Sequence, residues 1–176
     1  MNSKLITPGF LLITGMILFA AFARLIPHPP NFTPIAAMAL FGGAYFSKKW
    51  MAFLIPVTAM LFADLIIGFH STMWSVYLSF ILIVGIGMIF IRKKKAGNII
   101  LASVTASVLF FIVTNFAVWM SGFIYPKTGA GLAACYAAAI PFFHYTLLGD
   151  LFFVGIMFGL YHLITNRYPA LVKSTI

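Results

Sequence analysis

Acidic side chains are nearly absent from this chain. It has no glutamate, and its two aspartates, Asp64 and Asp150, lie inside apolar runs. Only 7% of residues are charged, against roughly 25% in soluble domains, which leaves almost nothing for a water-facing domain. A single cysteine, Cys135, excludes an intrachain disulfide and a multi-cysteine metal site. No H-x-x-x-H or H-E-x-x-H spacing occurs, so neither a metal nor a cofactor is expected. No G-x-S-x-G, Walker A or C-x-x-C motif is present, which removes the common templates for hydrolase, nucleotide and thiol chemistry. No repeat period and no low-complexity segment is visible.

What is present is hydrophobic. The composition is 63% apolar over 176 residues, which makes this one integral membrane domain spanning 1–176. The formal charge of +9 does not point to nucleic acid, because the cations sit in short clusters between apolar runs. Clusters of that kind set membrane topology.

The runs predict an all-α, polytopic six-helix bundle. The spans are 7–26, a short second helix at 33–47, then 50–68, 73–91, 98–121 and a sixth element. The apolar stretch 131–165 is too long for one straight span, so Pro141 is read as dividing a short alanine-rich helix, 131–139, from a sixth span, 142–165. Lys4, the first apolar run and Ala21-Phe22-Ala23 also match a secretory signal with an A-x-A site. A retained first helix is preferred because six spans need it. With both termini cytoplasmic, the inner ends hold Lys4, Lys48, Lys49, Arg92, Lys93, Lys94, Lys95, Arg167 and Lys173. The outer ends hold only Arg24 and Lys127, a strong positive-inside bias.

Arg24–Ala44 is the most informative stretch. It places Arg24, His28, Asn31 and three prolines ahead of an apolar helix that starts at Thr33-Pro34. Thr33 suits an N-cap and Pro34 the first helical position. Phe32–Phe46 is shorter than the about 20 residues a span requires, so this backbone is expected to dip into the bilayer over a cavity. The topology brings other polar groups to the same outer half. By helical rise, Asp64 lies roughly 6 Å from the outer end of its span, Asn115 roughly 9 Å and Asp150 roughly 12 Å. His70, Trp74, Trp119, Tyr125, His144 and Tyr145 share that side. Charge inside a membrane tends to face a bundle interior or a wet cavity, so Arg24, Asp64 and Asp150 form a site hypothesis. The competing reading is an Arg–Asp pair that fixes helix packing. His28 and His70 lie in loops, where solvation alone explains them. Trp50, Trp74 and Trp119 fall at span ends, where an aromatic belt is expected. Cys135 reads as a small packing residue near the outer face.

Small residues recur at four-residue spacing in Ala39-x-x-x-Gly43, Ala102-x-x-x-Ala106, Ser103-x-x-x-Ser107 and Gly155-x-x-x-Gly159. They serve either packing within the bundle or a membrane partner.

Several motifs carry a resemblance. R-x-x-P-H-P-P-N-F-T-P-I-A-A-M-A-L-F-G-G-A (Arg24–Ala44), T-N-F-A-V-W (Thr114–Trp119), Y-P-K-T (Tyr125–Thr128), G-L-A-A-C-Y (Gly131–Tyr136) and P-F-F-H-Y-T-L-L-G-D-L (Pro141–Leu151) resemble a family of small, uncharacterised bacterial inner-membrane proteins. That family in turn is similar to the substrate-binding S-components of energy-coupling factor (ECF) transporters in size, span number and topology. The resemblance implies a multi-pass plasma-membrane protein that binds a vitamin or its precursor beneath outer loops. It also implies a separate transmembrane coupling subunit and ATPases as partners. The loops at 24–33 and 122–141 would then cover the pocket. The first span has no clear A-x-x-x-A, the pattern by which many S-components meet their coupling subunit. Cys135 does not match the cobalt-ligating cysteine of the cobalamin-binding branch.

The expected function is therefore uptake of a small vitamin-like molecule bound at the outer face. Arg24, His28, Asn31, Asp64, His70, Trp74, Asn115, Trp119, Tyr125, His144 and Asp150 are the candidate substrate-binding residues. Arg24 and the helix start at Pro34 would favour an anionic group. Asp64 and Asp150 would take a cation or donor, or neutralise Arg24. Asn115 would orient the ligand, and Trp74, Trp119 and Tyr125 would stack on a ring. The alternatives are an intramembrane enzyme acting on a lipid or isoprenoid through Asp64 and Asp150, or a structural subunit of a larger complex. The first needs the carboxylates together, the second a packed interior without a cavity.

Overall fold

A computed structural model describes residues 7–171. Lys4 and Lys173, which enter the charge count above, lie outside them. The described chain is all-helical: α1 Pro8–Ala23, α2 Ile35–Tyr45, α3 Lys49–Ile67, α4 Met73–Phe90, α5 Ala96–Ser121, α6 Gly129–Arg167, and a short 3-10 turn, Pro169–Leu171. Four of these, α3 to α6, are long and apolar enough to cross a membrane, while α1 and α2 are shorter apolar helices. The chain is a helical membrane protein.

The helices form a ring around a plug. In the ring, α1 packs on α3, α3 on α4, α4 on α5 and α5 on α6, and α2 touches all five. The plug is apolar all round, as a helix enclosed on every side must be. Residues from Ile35 through Gly43 are buried without a break. Two close approaches hold it. Gly43 and Gly87 let the α2 and α4 backbones meet: a Cβ at Gly87 would lie 2.6 Å from the Leu40 carbonyl oxygen. On the α6 side, Phe41 meets Phe158 edge-on at 5.2 Å and Tyr45 meets Tyr161 at 4.0 Å.

The plug is also short. Its 11 residues rise only about 16 Å, roughly half of a hydrocarbon core about 30 Å thick. It therefore fills the ring at the end where Lys48, Lys49 and Arg92–Lys95 cluster (the lysine end). The opposite end of the ring, at the 24–34, 68–72 and 122–128 connections, is left partly hollow.

The helix ends follow their sequence signals with two corrections. Thr7 caps α1 by accepting from Phe10 N–H at 3.1 Å, with Pro8 in the first turn, and Thr128 caps α6 by accepting from Gly131 N–H at 3.1 Å. Gly122 ends α5 in the left-handed region, φ 70°. The first correction concerns α2. Its cap position is Pro34 rather than Thr33, and no side chain caps it. The second concerns α6, one continuous helix of 39 residues that contains Pro141, not two helices divided there. Alanine-rich sequence before the proline has strong helix propensity, and a membrane helix absorbs the missing N–H through its neighbours. At roughly 58 Å, α6 exceeds the bilayer core, so its first turns are free to wall the hollow end.

Three of the four small-residue pairs serve the bundle: Ala39, Gly43, Ala102, Ala106, Ser103 and Ser107 are all buried. One hydroxyl among them, Ser103 Oγ, is buried without a hydrogen-bond partner. Ser103→Ala is expected to raise stability by up to about 1 kcal/mol, because an unmatched buried hydroxyl is removed. The Ser103 backbone carbonyl, 3.1 Å from Ser107 Oγ, is not altered by the substitution. Thermal unfolding of the detergent-solubilised variant measures the gain, and a loss would mean that the hydroxyl has a partner.

Candidate functional site

The hollow end of the ring is a cleft of about 510 Å³. Each wall comes from one helical face. On α6, Cys135, Ala138, Ala139, Phe142, Phe143 and Thr146 follow at spacings of three, one, three, one and three. That is the pattern of a single stripe. On α5, Phe110, Phe111, Thr114, Asn115 and Val118 do the same. Arg24, Asn31, Thr33 and Ile35 come from the end of α1, the 24–34 segment and the top of α2. His70, Thr72, Ser75 and Val76 complete the rim from the α3–α4 connection, and Ile124 and Tyr125 from the α5–α6 connection.

The 24–34 segment is fastened over this end. Its Phe32 ring packs on Phe152 and Phe153 of α6, each at 5.6 Å. Gly149 admits its backbone, since a Cβ there would lie 3.0 Å from the Phe32 Cα. Asn31 adopts φ 64°, a left-handed conformation that asparagine tolerates better than most residues. A proline-rich sequence with few usable N–H donors makes such a stiff strap without regular structure.

Of the eleven residues singled out from the sequence, Arg24, Asn31, His70, Asn115 and Tyr125 line the cleft. The others lie elsewhere. His28 is exposed, its Nδ1 2.7 Å from the Ile26 carbonyl oxygen. Trp74 is exposed, and His144 is exposed on α6 and stacked on Tyr145. Trp119 donates from Nε1 to the Pro126 carbonyl at 3.1 Å, which braces the α5–α6 connection. The two aspartates are buried outside the lining and belong to separate networks.

Asp64 holds Arg24. The Arg24 Nη2–Asp64 Oδ1 distance is 2.7 Å, Tyr77 donates its hydroxyl to Asp64 Oδ2 at 2.8 Å, and Arg24 Nη1 reaches the Met60 carbonyl at 3.5 Å. These bonds tie α1, α3 and α4 together. Asp150 accepts from Ser107 Oγ at 2.6 Å and ties α6 to α5. Each acid thus staples neighbouring ring helices, and α2 packs between the helices that carry them, α3 and α6. The expectation of one Arg24–Asp64–Asp150 group gives way to two staples. A hydrogen bond between membrane helices adds attraction that apolar packing alone lacks.

The cleft itself presents no carboxylate, and its one cation is already paired. The rest of its polar content is hydroxyls, amides, the His70 imidazole and the Cys135 thiol. Asn115 donates from Nδ2 to the Phe111 carbonyl at 2.8 Å, which leaves its Oδ1 free of that bond. Thr146 is buried with its side chain on the cleft wall. Cys135 donates weakly to the Asn115 carbonyl at 3.4 Å, so it both packs and lines the cleft. Among the described residues no group of three or more histidine, cysteine or acidic side chains comes together.

Thr33, singled out at the helix start, does line the cleft, whereas the wall residues Thr72, Ser75, Thr114 and Thr146 were not singled out as site residues, since single hydroxyls in apolar runs carry no motif. Tyr77 and Ser107, the partners of the acids, were equally silent, although Ser107 belongs to the Ser103-x-x-x-Ser107 spacing.

Residues 4–171 match DUF6580, a family of unknown function, and the chain belongs to it. No curated protein and no solved structure matches the chain.

Proposed function

We propose that this member of a family of unknown function binds a small, vitamin-like molecule in the cleft above α2, as a membrane-embedded S-component-like uptake protein. The supporting observation is the cleft itself, left by a plug too short to fill its ring. Its volume of about 510 Å³ falls within the roughly 300–1,000 Å³ of ligand pockets. Its lining is also of that kind: aromatic and aliphatic walls carrying a few hydroxyl and amide groups. A structural-subunit reading expects a packed interior here instead. The paired-carboxylate reading lacks its pair, because Asp64 and Asp150 are each bonded elsewhere.

The geometry changes the ligand expected. With Arg24 bound to Asp64, the preferred molecule is uncharged or weakly polar rather than strongly anionic. Asn115, Thr146 and Tyr125 orient it, while Phe111 and Phe143, whose rings meet at 5.0 Å, offer an aromatic wall. On this reading the cleft opens to the outside of a bacterial plasma membrane, both termini are cytoplasmic, and a coupling subunit with ATPases is a separate partner.

A thermal-shift screen against a vitamin and precursor panel tests the proposal, with mass spectrometry of any small molecule that co-purifies. A ligand at a hundred times its Kd adds about 2.7 kcal/mol. For a chain of this length that raises Tm by several degrees, at roughly 2–4 °C per kcal/mol. Ala139→Trp, which fills the cleft, is expected to abolish the shift, and Asn115→Ala to reduce it. A panel without any shift, or a shift unchanged in Ala139→Trp, overturns the reading.

A further inference from the structure

The fourth small-residue pair, Gly155 and Gly159, does no packing within this bundle. A Cβ at either would meet nothing within 4 Å. The two glycines instead floor a groove of about 680 Å³ between the first turns of α5 and the last turns of α6. Its walls are apolar: Ile99 and Ile100 from α5, Val154 and Phe158 from α6. Its rim is polar and basic. Lys94 stands there with its ammonium 4.9 Å from the Tyr45 ring centroid, beside His162 and Thr165.

Among the described residues no acid compensates the charge at this rim. Lys94 belongs to the run Arg92–Lys95, and the chain's two acids are engaged elsewhere, Asp64 with Arg24 and Asp150 with Ser107. The first residue of α5, Ala96, also lines the groove, and no side chain caps that helix. An apolar trough topped by a cation is complementary to an anionic amphiphile. A neutral helix would fill the trough but leave the charge unmet.

We infer that this groove holds an anionic phospholipid, its phosphate beside Lys94 and an acyl chain along the Gly155–Gly159 face of α6. Basic pockets between membrane helices recognise such headgroups by charge, and the trough adds the apolar contact. This site is distinct from the cleft above α2 and does not depend on what that cleft binds.

The test is native mass spectrometry of the purified chain in mixed micelles containing phosphatidylglycerol or phosphatidylcholine. Phosphatidylglycerol is expected to stay bound where phosphatidylcholine is lost. Lys94→Gln is expected to weaken it roughly fivefold, the effect of one cation near a lipid surface. Gly155→Leu is expected to abolish the adduct with no drop in Tm, since open space surrounds that position. Lys49→Gln, in the other lysine cluster, is expected to change nothing. Equal retention of the two lipids overturns the inference, as does equal loss in Lys49→Gln. So does glycerol phosphate binding as tightly as the whole lipid. A photoreactive label on Gly159→Cys that captures a protein rather than lipid in the membrane overturns it in favour of a helix partner.

Discussion

Arg24→Ala is expected to destabilise the protein by about 3–5 kcal/mol, the range for removing one partner of a buried ion pair. The guanidinium and the Asp64 carboxylate are 2.7 Å apart, with side chains only 10% and 5% exposed. Without Arg24 the carboxylate keeps one donor, the Tyr77 hydroxyl, and remains a buried charge. The reciprocal change is milder. In Asp64→Asn the guanidinium still lines the polar end of the cleft and keeps the Met60 carbonyl. The order of stability is therefore wild type, then Asp64→Asn, then Arg24→Ala. Replacing both residues by leucine is expected to recover most of the loss, because an apolar pair of similar volume often matches a buried ion pair. Thermal unfolding of the four proteins in one detergent decides this. An Arg24→Ala variant that melts with wild type would mean that the pair is solvated and that Arg24 is free to meet a ligand's anion.

The staples and the cleft are two results of one design. A ring of membrane helices gains little from hydrophobic contact, because lipid is as apolar as the helix faces. Polar bonds between neighbours and close backbone approaches must supply the attraction. Here the acids bond across α3–α1, α3–α4 and α6–α5, and Gly42 and Gly43 sit where α2 meets α3 and α4. Between α1 and α6 the ring closes only across an apolar groove of about 380 Å³. A short plug inside such a ring leaves one end open, and the polar strap at 24–34 covers part of that opening. The features that make the fold stable thus also define where a small molecule could sit.

Much of this was legible in the sequence. Apolar run lengths placed α3, α4 and α5 within two residues of their ends, because hydropathy and turn residues act locally. The shortness of the second helix and the abrupt start near Pro34 marked it as unusual. Its central position was not visible, since an all-round apolar helix looks the same whether lipid or protein surrounds it. Proline at 141 suggested a break because its local penalty is clear, whereas the alanine-rich run and the neighbours that carry the helix through it are not scored by any motif. Position along a helix can be read from a sequence, but rotation about it cannot. That is why His144, Trp74 and Asp150 do not line the cleft that Asn115 and Tyr125 line. Residue 64 found its arginine by depth alone, and the silent Tyr77 needed three dimensions.

Gly43→Ala tests the plug most directly, because propensity and packing oppose each other there. Alanine in place of glycine within a helix ordinarily stabilises by about 0.8–1.0 kcal/mol. At Gly43 the added Cβ would collide with the Val84 carbonyl oxygen and stand 3.1 Å from the Met88 nitrogen. These are backbone atoms of α4, so no rotamer change relieves the contact and the helices must separate. Overpacking of this kind costs about 1–3 kcal/mol and occasionally more, so the net effect is destabilising. Gly43→Leu is expected to be worse and to prevent assembly of the ring. Gly85→Ala, on α4 with nothing within 4 Å of its Cβ, supplies the control and is expected to stabilise by the propensity gain alone. The two alanine variants should therefore shift Tm in opposite directions although the chemical change is identical. Because α2 also forms the base of the cleft, Gly43→Ala should weaken any ligand-dependent stabilisation while Gly85→Ala leaves it intact. If both variants gain stability, α2 is not pressed against α4, and the cleft loses the plug that defines its depth.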